Sequence, residues 1–300
     1  MDEAAHVFWC DTSAGTERLV RLARPQKLNH FPGMLEIARK KGLARNLAHM
    51  RALFPDQFDF TPRTFLLPEH GGSSSSTLGG SRRATFILKL DNGSMGRGIR
   101  LVQVAQALPS FEHGNLVASE YLDAPLLIGG RKFDLRIYAL VRCCNPLRIF
   151  LYRDGLVRFC TEAYQPPCAA NLDRACMHLS NYAVNKHSPA FVDAGEAGDG
   201  SKWCLAAFAE HVAREGHDFG ALWGRIQRIV SKTLISCQPM LRYHYKCATR
   251  PADDGLSCFE LLGLDVLVDA ELRPWLLEVN HSPSLTTDTP LDLELKSRLV

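Results

Sequence analysis

The amino-acid sequence predicts an α+β fold, and the order of its segments leads to that class. Strand-like segments fill residues 85–160, helical periodicity follows over 202–236, and two more strand-like segments lie within 258–280. Strand and helix do not alternate regularly along this order, as they would in a doubly wound nucleotide-binding fold. With 300 residues, 46% of them hydrophobic and 22% charged, the chain is long enough to bury a sizeable core.

The front of the chain is predicted to be mostly helical, with short extended pieces such as residues 7–9. Leu43, Leu47 and Met50 recur among lysines and arginines, at the spacing of a helix that ends before Pro55. We therefore expect a helix within residues 34–54.

A change in composition divides the chain. Residues 71–84 include a Gly- and Ser-rich run that cannot bury apolar surface, so we expect a flexible loop there. This loop separates an N-terminal domain, residues 1–70, from the main body, residues 85–300.

The main body is predicted to be a sheet region followed by helices and two further strands. The first strands are expected over 85–90, 99–102, 116–122, 133–142, 147–152 and 156–160. Helices are expected over 202–214 and 221–236, where apolar residues recur at three and four residues. Strands over 258–268 and 275–280 close the body.

Composition excludes several classes of protein. The chain has 35 Lys and Arg against 32 Asp and Glu, so its net charge of +3 does not predict a nucleic-acid or membrane binder. Its ten cysteines lack C-x-x-C spacing, which argues against a zinc site or a disulfide framework and favours reduced thiols. It has neither an apolar run of the roughly 18 to 20 residues that a membrane span needs nor a signal-peptide pattern. We expect an intracellular protein.

The two closing strands carry the most informative spacing. Glu278 and Asn280 lie two residues apart and so face the same side of their strand. If residues 269–272 form the turn, Asp265 pairs with Leu276, and opposite partners share a face. Two carboxylates and an amide oxygen would then project together, which suits Mg²⁺ with phosphates as its remaining ligands. The alternative is a set of ordinary residues on an exposed hairpin.

A second cluster of charges lies in the predicted strand over 133–142 and just before it. Lys132, Asp134 and Arg136 alternate with apolar residues, so a strand would turn all three charges to one face. That face is either an ordinary surface or a cationic floor for phosphates and a carboxylate.

Residues 89–98 combine glycines with a lysine and an arginine between two predicted strands. Such a segment suits a flexible flap whose backbone N–H groups close over phosphates. It is not a Walker A loop, because the G-x-x-x-x-G-K-[ST] pattern is absent. A plain hairpin turn is the simpler interpretation.

Four segments in one order carry a resemblance to a known family. They read KLNHFPGM (residues 27–34), FDLRIY (133–138), MHLSNY (177–182) and WLLEVNHSPS (275–284). Together they closely resemble the tubulin tyrosine ligase-like family, and within it the tubulin polyglutamylases. The resemblance runs from about Trp9 to the C-terminus.

The resemblance implies an ATP-grasp fold and a ligase that uses ATP and Mg²⁺. Such a ligase activates a glutamate side chain in an acidic tubulin tail as an acylphosphate, and free L-glutamate then attacks it. The partners implied are tubulin or microtubule tails and L-glutamate, with no nucleic acid and no membrane. We expect a monomer in the cytoplasm and cytoskeleton, including the cilium or basal body.

The resemblance also implies roles for individual residues. The nucleotide would contact Lys89, Met95, Gly96, Ser119, Glu120, Tyr121, Leu122, Lys132, Asp134, Ser180 and Asn181. The metal ligands would be Asp265, Glu278 and Asn280. Arg136 and Lys132 would act on the transferring phosphoryl group. The incoming glutamate would meet Arg158, Tyr182, Ala183, Lys202 and His281.

The chain departs from the family pattern at several positions. Leu90 follows Lys89 where members usually have proline, and Met95 replaces an amide residue. Ser119 and Ser180 replace the usual Gln and Thr. The N-terminal strand expected before residue 7 and a basic C-terminal helical extension are missing, so we expect residues 1–70 to be a partial domain.

Three alternatives to a polyglutamylase stay open. A tubulin glycylase and a ligase for a non-tubulin acidic protein belong to the same class of enzyme. Arg158 and Lys202 suit an amino acid with a second carboxylate, which favours glutamate over glycine. An inactive, truncated microtubule-binding module is the third alternative, and the intact charges in both clusters argue against it. His281 is similar to the residue in members that lengthen an existing glutamate branch.

Overall fold

The computed structural model describes residues 5–13, 16–67, 84–94, 96–104, 115–193, 200–250, 253 and 255–300. The helices are α1 (Thr16–Val20), α2 (Leu35–Ala38), α3 (Lys40–Leu53), α4 (Ala175–His178), α5 (Tyr182–Asn185), α6 (Leu205–Arg214), α7 (Phe219–Ala248) and α8 (Pro290–Leu299). The strands are β1 (Val7–Phe8), β2 (Lys27–Leu28), β3 (Thr64–Leu67), β4 (Ala84–Leu90), β5 (Arg100–Val104), β6 (Leu116–Glu120), β7 (Leu127–Ile128), β8 (Arg131–Cys144), β9 (Leu147–Phe159), β10 (Lys202–Cys204), β11 (Glu260–Val268) and β12 (Pro274–Asn280).

The described strands form two antiparallel sheets and one short parallel pair. The larger sheet has the order β10-β9-β8-β11-β12, with β7 also paired to β8. The smaller sheet has the order β3-β6-β4-β5. Strands β1 and β2 pair in parallel. This mixture of helix and antiparallel sheet agrees with the predicted α+β class.

The main core lies between one face of the larger sheet and the helices. Phe133, Leu135 and Ile137 on β8 are fully buried, and the Phe133 ring meets the ring of Phe208 on α6 at 5.3 Å between centroids. Helix α7 buries residues such as Leu222 in the same cluster. Burying a side chain of this size contributes about 2 kcal/mol. Residues of this apolar face alternate along β8 with charged ones, which leaves the opposite face for polar chemistry.

The front of the chain shares this core. Leu28, Met34 and Ile37 are buried in the cluster that contains the larger sheet. The division into residues 1–70 and 85–300 remains a prediction. Most of the predicted flexible loop, residues 71–83, lies outside the described residues, whereas Ala84 already belongs to strand β4.

Several element boundaries differ from the predicted ones. The helix expected within 34–54 is two helices, because Arg39 between α2 and α3 has extended backbone angles. Lys202 begins a strand rather than a helix, since β10 pairs with β9 before α6 starts. The segments predicted at 147–152 and 156–160 form one strand along β8. Helix α7 continues to Ala248 through Pro239, which lies on its exposed side.

The predicted register of the closing hairpin is wrong, but Asp265 and Glu278 still lie on the same face of the sheet, as predicted. Val268 pairs with Pro274, and Asp265 pairs with Glu278 rather than with Leu276. The turn is one residue longer than predicted, and an irregularity between Asp265 and Val266 adds a second one-residue shift. Each shift alone would turn the strand over, but together they return Glu278 to the face of Asp265.

None of the helices in the described part of the chain is long and apolar enough to cross a membrane. All ten cysteines are free thiols in the structure.

Candidate active site

A cavity of about 500 Å³ lies between the two sheets and is closed on a third side by helix α3. The smaller sheet contributes Lys89 and Ser119, and the larger sheet contributes Lys132, Asp134 and Glu278. Apolar side chains complete the wall, among them Leu43, Leu47, Ile87, Val117, Leu267 and Leu276. A concave, largely apolar cavity of this size with a few convergent charges is typical of a small-molecule site.

Charged residues cross the larger sheet on the face turned away from the main core. One row of paired partners consists of Lys202, Arg158 and Asp134, on β10, β9 and β8. The next row consists of Arg136, Asp265 and Glu278, on β8, β11 and β12. Opposite partners in an antiparallel sheet share a face, so all six side chains project together. We call this set the charged face.

The centre of the charged face is a buried network of ion pairs. Arg136 Nε donates to Asp265 Oδ1 at 2.5 Å, and Arg158 Nη2 lies 2.8 Å from Asp265 Oδ2. Arg158 also binds Asp134 with both Nε and Nη2, at 2.8 and 2.5 Å. Burial alone would raise the pKa of Asp265, but the two guanidiniums hold that pKa well below its usual range. Asp265 is therefore ionised.

Glu278 lies beside this network. Burial raises the pKa of Glu278, and the negative charge of Asp265 raises it further, whereas Lys89 and Lys40 oppose the shift. Asn280 Nδ2 donates to Glu278 Oε1 at 3.3 Å, which leaves the amide oxygen of Asn280 for another partner. Two neighbouring carboxylates that repel each other would be stabilised by a cation between them.

The donor set fits Mg²⁺ of the kind that shares its ligands with phosphates. No group of three or more His, Cys, Asp or Glu side chains in the described ranges forms a metal site. Asp265, Glu278 and Asn280 would offer two carboxylates and an amide, all oxygen ligands, and Asp265 would share its oxygens between the metal and the guanidiniums of Arg136 and Arg158. The remaining positions would fall to a phosphate-bearing ligand and water.

Lys132 is held at the cavity by a directed chain of hydrogen bonds. Lys132 Nζ donates to Tyr121 Oη at 2.8 Å, and Tyr121 Oη lies 2.9 Å from His178 Nδ1. His178 Nε2 lies 2.9 Å from the carbonyl oxygen of Asn171, so Nε2 carries the proton and Nδ1 accepts from Tyr121. Burial lowers the pKa of Lys132 to about 8.

The end of strand β6 forms the edge of the cavity. Ser119, Glu120, Tyr121 and Leu122, to which the family resemblance assigns adenine, all line it. Ser119 Oγ shares a hydrogen bond of 2.9 Å with Thr64 Oγ1. The side chain of Ser119 is thereby oriented by strand β3.

The glycine segment after β4 lies against α5 and against Asn181, which lines the same cavity. Met95 lies outside the described residues. Gly96 has a φ of +76°, and a Cβ at this position would lie 2.7 Å from Val184 Cγ2. It would also lie 3.6 Å from the Cβ of Asn181, which lines the cavity together with Ser180. Glycine is therefore required both by the backbone and by the close approach to α5.

Lys40 was missed in the sequence analysis. It is the first residue of α3, lines the cavity, and donates from Nζ to the carbonyl oxygen of Gly93 at 2.7 Å. Lys40 thus ties α3 to the glycine segment. Its position at a helix start beside the KLNHFPGM segment is the only indication that the sequence offers. His178 was also missed, although it lies within the MHLSNY segment.

The residues predicted for the incoming glutamate divide into two groups. Lys202 Nζ lies 3.6 Å from the centroid of the Tyr182 ring and pairs in register with Arg158. Ala183 follows Tyr182 in α5. His281 instead lines a separate cavity of about 230 Å³ with residues of the front segment, 5.8 Å from the His30 ring between centroids. These five residues do not line the main cavity, nor do Arg136 and Asn280.

Comparisons with known proteins point to one family. Residues 20–300 match the model of the tubulin-tyrosine ligase family. The chain is 45% identical over 294 residues to tubulin polyglutamylase ttll6 of Danio rerio, covering 98% of this chain and 37% of that protein. It is 45% identical over 302 residues to tubulin polyglutamylase TTLL13 of Homo sapiens, covering 100% of this chain and 36% of that protein. It is 44% identical over 299 residues to a probable beta-tubulin polyglutamylase of Tetrahymena thermophila, covering 98% of this chain and 25% of that protein.

The chain thus spans roughly a quarter to somewhat over a third of the length of these relatives. The matches cover nearly all of it, including the strands that carry the charged face. The family resemblance drawn from the four segments is confirmed, and this chain belongs to the tubulin-tyrosine ligase family.

Proposed function

We propose that this chain is the catalytic core of an ATP- and Mg²⁺-dependent tubulin polyglutamylase with an ATP-grasp fold. The observation that carries the proposal is the charged face beside a cavity between two antiparallel sheets. The names of the relatives support tubulin as the acceptor and glutamate, rather than glycine, as the amino acid.

The chemistry needs a leaving group on a carboxylate. Bound ATP with Mg²⁺ would supply the phosphoryl group that turns the acceptor carboxylate into an acylphosphate. The amine of L-glutamate would then attack the carbonyl carbon, release phosphate and form the isopeptide bond. The protein's task is to position the reactants and neutralise charge, so no nucleophilic side chain is required.

Residues of the charged face and of its surroundings have distinct tasks in this proposal. Asp265, Glu278 and Asn280 would hold Mg²⁺, and Lys89 and Lys132 would neutralise phosphate oxygens. Arg136 would stabilise the transferring phosphoryl group, with its guanidinium already oriented by Asp265. The orientation is fixed before substrates arrive, which is the condition for electrostatic stabilisation of a transition state.

The predicted nucleotide and glutamate contacts complete the proposal. Ser119 to Leu122 would hold the adenine, and Gly96, Ser180 and Asn181 would approach the phosphates. Arg158, Tyr182, Ala183 and Lys202 would receive L-glutamate, while His281 would meet a glutamate branch that is being lengthened. A monomer that acts at microtubules in the cytoplasm, cilium or basal body is part of the same proposal.

Incorporation of labelled amino acid tests the proposal. We expect transfer of glutamate, and not of glycine, to microtubules and to synthetic acidic tail peptides in the presence of ATP and Mg²⁺. Glu278→Gln removes one metal-binding charge at constant volume, so activity should be lost while the circular dichroism spectrum is kept. Glu271→Gln, an exposed acid in the turn of the same hairpin, is the matched control and should retain activity.

Other outcomes would select among the alternatives. Unchanged turnover in Glu278→Gln contradicts the metal assignment. Transfer of glycine alone would support a glycylase. Absence of any transfer by a folded protein that is stabilised by ATP would favour an inactive module.

A further inference from the structure

Helix α8 places a carboxylate between two buried lysines, one of which, Lys202, belongs to the charged face. Asp292 Oδ2 accepts from Lys202 Nζ at 2.7 Å, and Asp292 Oδ1 lies 2.9 Å from Lys296 Nζ. Asp292 is 1% exposed, Lys202 4% and Lys296 7%. The cluster therefore holds two ammonium groups against one carboxylate, all three almost completely removed from water.

The start of α8 fixes the position of this carboxylate. Thr289 caps the helix: its Oγ1 accepts from the backbone N–H of Asp292 at 3.2 Å and donates to Asp292 Oδ2 at 2.9 Å. Lys296 lies one turn further on and also donates to the carbonyl oxygen of Thr286 at 2.5 Å. Contacts at the start of its own helix thus hold Asp292 in place independently of Lys202.

Lys202 needs such a partner because of its place in the sheet. It stands directly opposite Arg158, and two cations in that relation repel each other. Arg158 is compensated by Asp134 and Asp265, neither of which contacts Lys202. Burial lowers the pKa of Lys202, and the hydrogen bond to Asp292 opposes that change.

The ammonium of Lys202 is fixed from two directions, by Asp292 and by the face of the Tyr182 ring at 3.6 Å. Because Asp292 is shared with Lys296, it cannot neutralise Lys202 fully, and the other carboxylate that acts on Lys202, that of Asp288, is exposed to water. A buried excess of one positive charge remains beside the charged face, and a buried charge of this kind calls for an anionic partner.

We propose that Asp292 and Lys296 are positioning residues: they hold the Lys202 ammonium in place and leave it enough uncompensated charge to bind a carboxylate of the incoming amino acid. This inference rests on the proposed function, in which Lys202 meets L-glutamate. It assigns to α8 a part in amino-acid binding without any contact between α8 and the reacting atoms.

Two variants test the two halves of the inference. Asp292→Asn keeps the size of the side chain but removes the charge that anchors Lys202, and we expect the KM for glutamate to rise about tenfold. Lys296→Met removes one ammonium at similar volume and lets Asp292 pair fully with Lys202. We expect its KM for glutamate to rise as well, together with some fall in Tm, because the carbonyl oxygen of Thr286 loses its donor.

A purely structural role for the cluster predicts a different pattern. In that case both variants would change the Tm or kcat and leave the KM for glutamate as it was, which would overturn the inference. The KM for ATP should stay within twofold in both variants. Arg298→Gln, which breaks an exposed pair with Glu294 on the same helix, is the control and should change neither KM.

Calorimetry with L-glutamate separates this inference from the proposed function. If the wild-type chain binds L-glutamate and Asp292→Asn binds it about tenfold more weakly, the inference holds even where no transfer to tubulin occurs. If the wild type transfers glutamate but the KM and affinity of both variants are unchanged, only the inference fails. If the wild type does not bind L-glutamate, the carboxylate site is refuted as well.

Discussion

At the scale of single residues, the protein keeps several ionisable groups in settings that change their protonation. His30 Nδ1 lies 2.9 Å from Glu260 Oε1, and the backbone N–H of Phe31 donates to Glu260 Oε2 at 2.8 Å. Burial raises the pKa of Glu260 to about 7. Burial would lower the pKa of His30, but the contact with Glu260 outweighs it and the pKa is raised. This pair joins the front segment to strand β11.

The pair predicts that stability falls as the pH rises. Both pKa values are raised on folding, so between about pH 4.5 and 7 the folded state binds more protons than the unfolded state and loses stability as they dissociate. We expect the Tm to drop by several degrees across this range. In Glu260→Gln the drop should be smaller. Thermal unfolding of both proteins over a pH series measures it, and parallel curves would contradict the role of the pair.

Lys132 gives a second prediction, on ligand affinity. Because its pKa is lowered to about 8, the free protein loses this ammonium as the pH rises through 8, and its affinity for ATP should fall. Calorimetric titration with ATP between pH 7 and 9 measures the effect. Lys132→Met should bind ATP more weakly at pH 7 and show no fall near pH 8. Tyr121→Phe removes the hydroxyl that accepts from the Lys132 ammonium, so in this variant the affinity for ATP should begin to fall at a lower pH.

At the scale of elements, the hairpin of β11 and β12 depends on one turn residue. Asp269 Oδ1 accepts from the backbone N–H groups of Glu271 and Arg273, at 3.0 and 2.8 Å. Asp269 Oδ2 accepts from Trp275 Nε1 at 2.8 Å. Leu272, with a φ of 59°, adopts the left-handed conformation within the same turn. One carboxylate thus determines the length of the turn.

Replacing this residue should loosen the hairpin that carries the three proposed metal ligands and part of the cavity wall. We expect Asp269→Ala to lower the free energy of unfolding by about 1–3 kcal/mol, because its hydrogen-bond donors lose their acceptor. Glutamate transfer should fall along with it. Urea unfolding measures the first effect, with the exposed Glu271→Ala as the control. Equal stability of the two variants would contradict the role given to Asp269.

The elements that sequence reasoning predicted are those with local periodicity. Strand β8 follows from alternation and α7 from apolar spacing. Strand β10 was predicted as helix because only its pairing with β9, distant along the chain, makes Lys202 extended. Helix α8 was not predicted, since its apolar pattern is weak and its main anchors are buried ion pairs. Its Thr-x-x-Asp start, at Thr289 and Asp292, was the available signal.

At the scale of the whole molecule, the candidate site combines segments that are far apart in sequence. Lys40, Lys89, Tyr121, Lys132 and Glu278 come from α3, from both sheets and from the segment after β6. Of these residues, Lys132 and Glu278 lie directly before or within one of the four family segments, and the resemblance carried by those segments also named Lys89 and Tyr121 but not Lys40. The segments could not predict which side chains compensate one another, such as Asp134 and Asp265 around Arg158, because that depends on the register between strands.

A ligand between two sheets should stabilise the fold as a whole. We expect ATP with Mg²⁺ at a hundred times its Kd to raise the free energy of unfolding by about 2.7 kcal/mol. Differential scanning fluorimetry should then show a higher Tm. In Lys89→Met the shift should be smaller at the same ATP concentration. An equal shift in the two proteins would place the phosphates elsewhere.

The register of the closing hairpin limits which insertions and deletions this site can accept during evolution. The longer turn and the irregularity at Asp265 each add one residue, so the meeting of Asp265 and Glu278 depends on an even total. A single insertion or deletion in this hairpin would move the carboxylate of Glu278 behind the sheet, whereas a compensated pair of length changes would not. The hairpin can therefore tolerate a net length change of an even number of residues but not of an odd number.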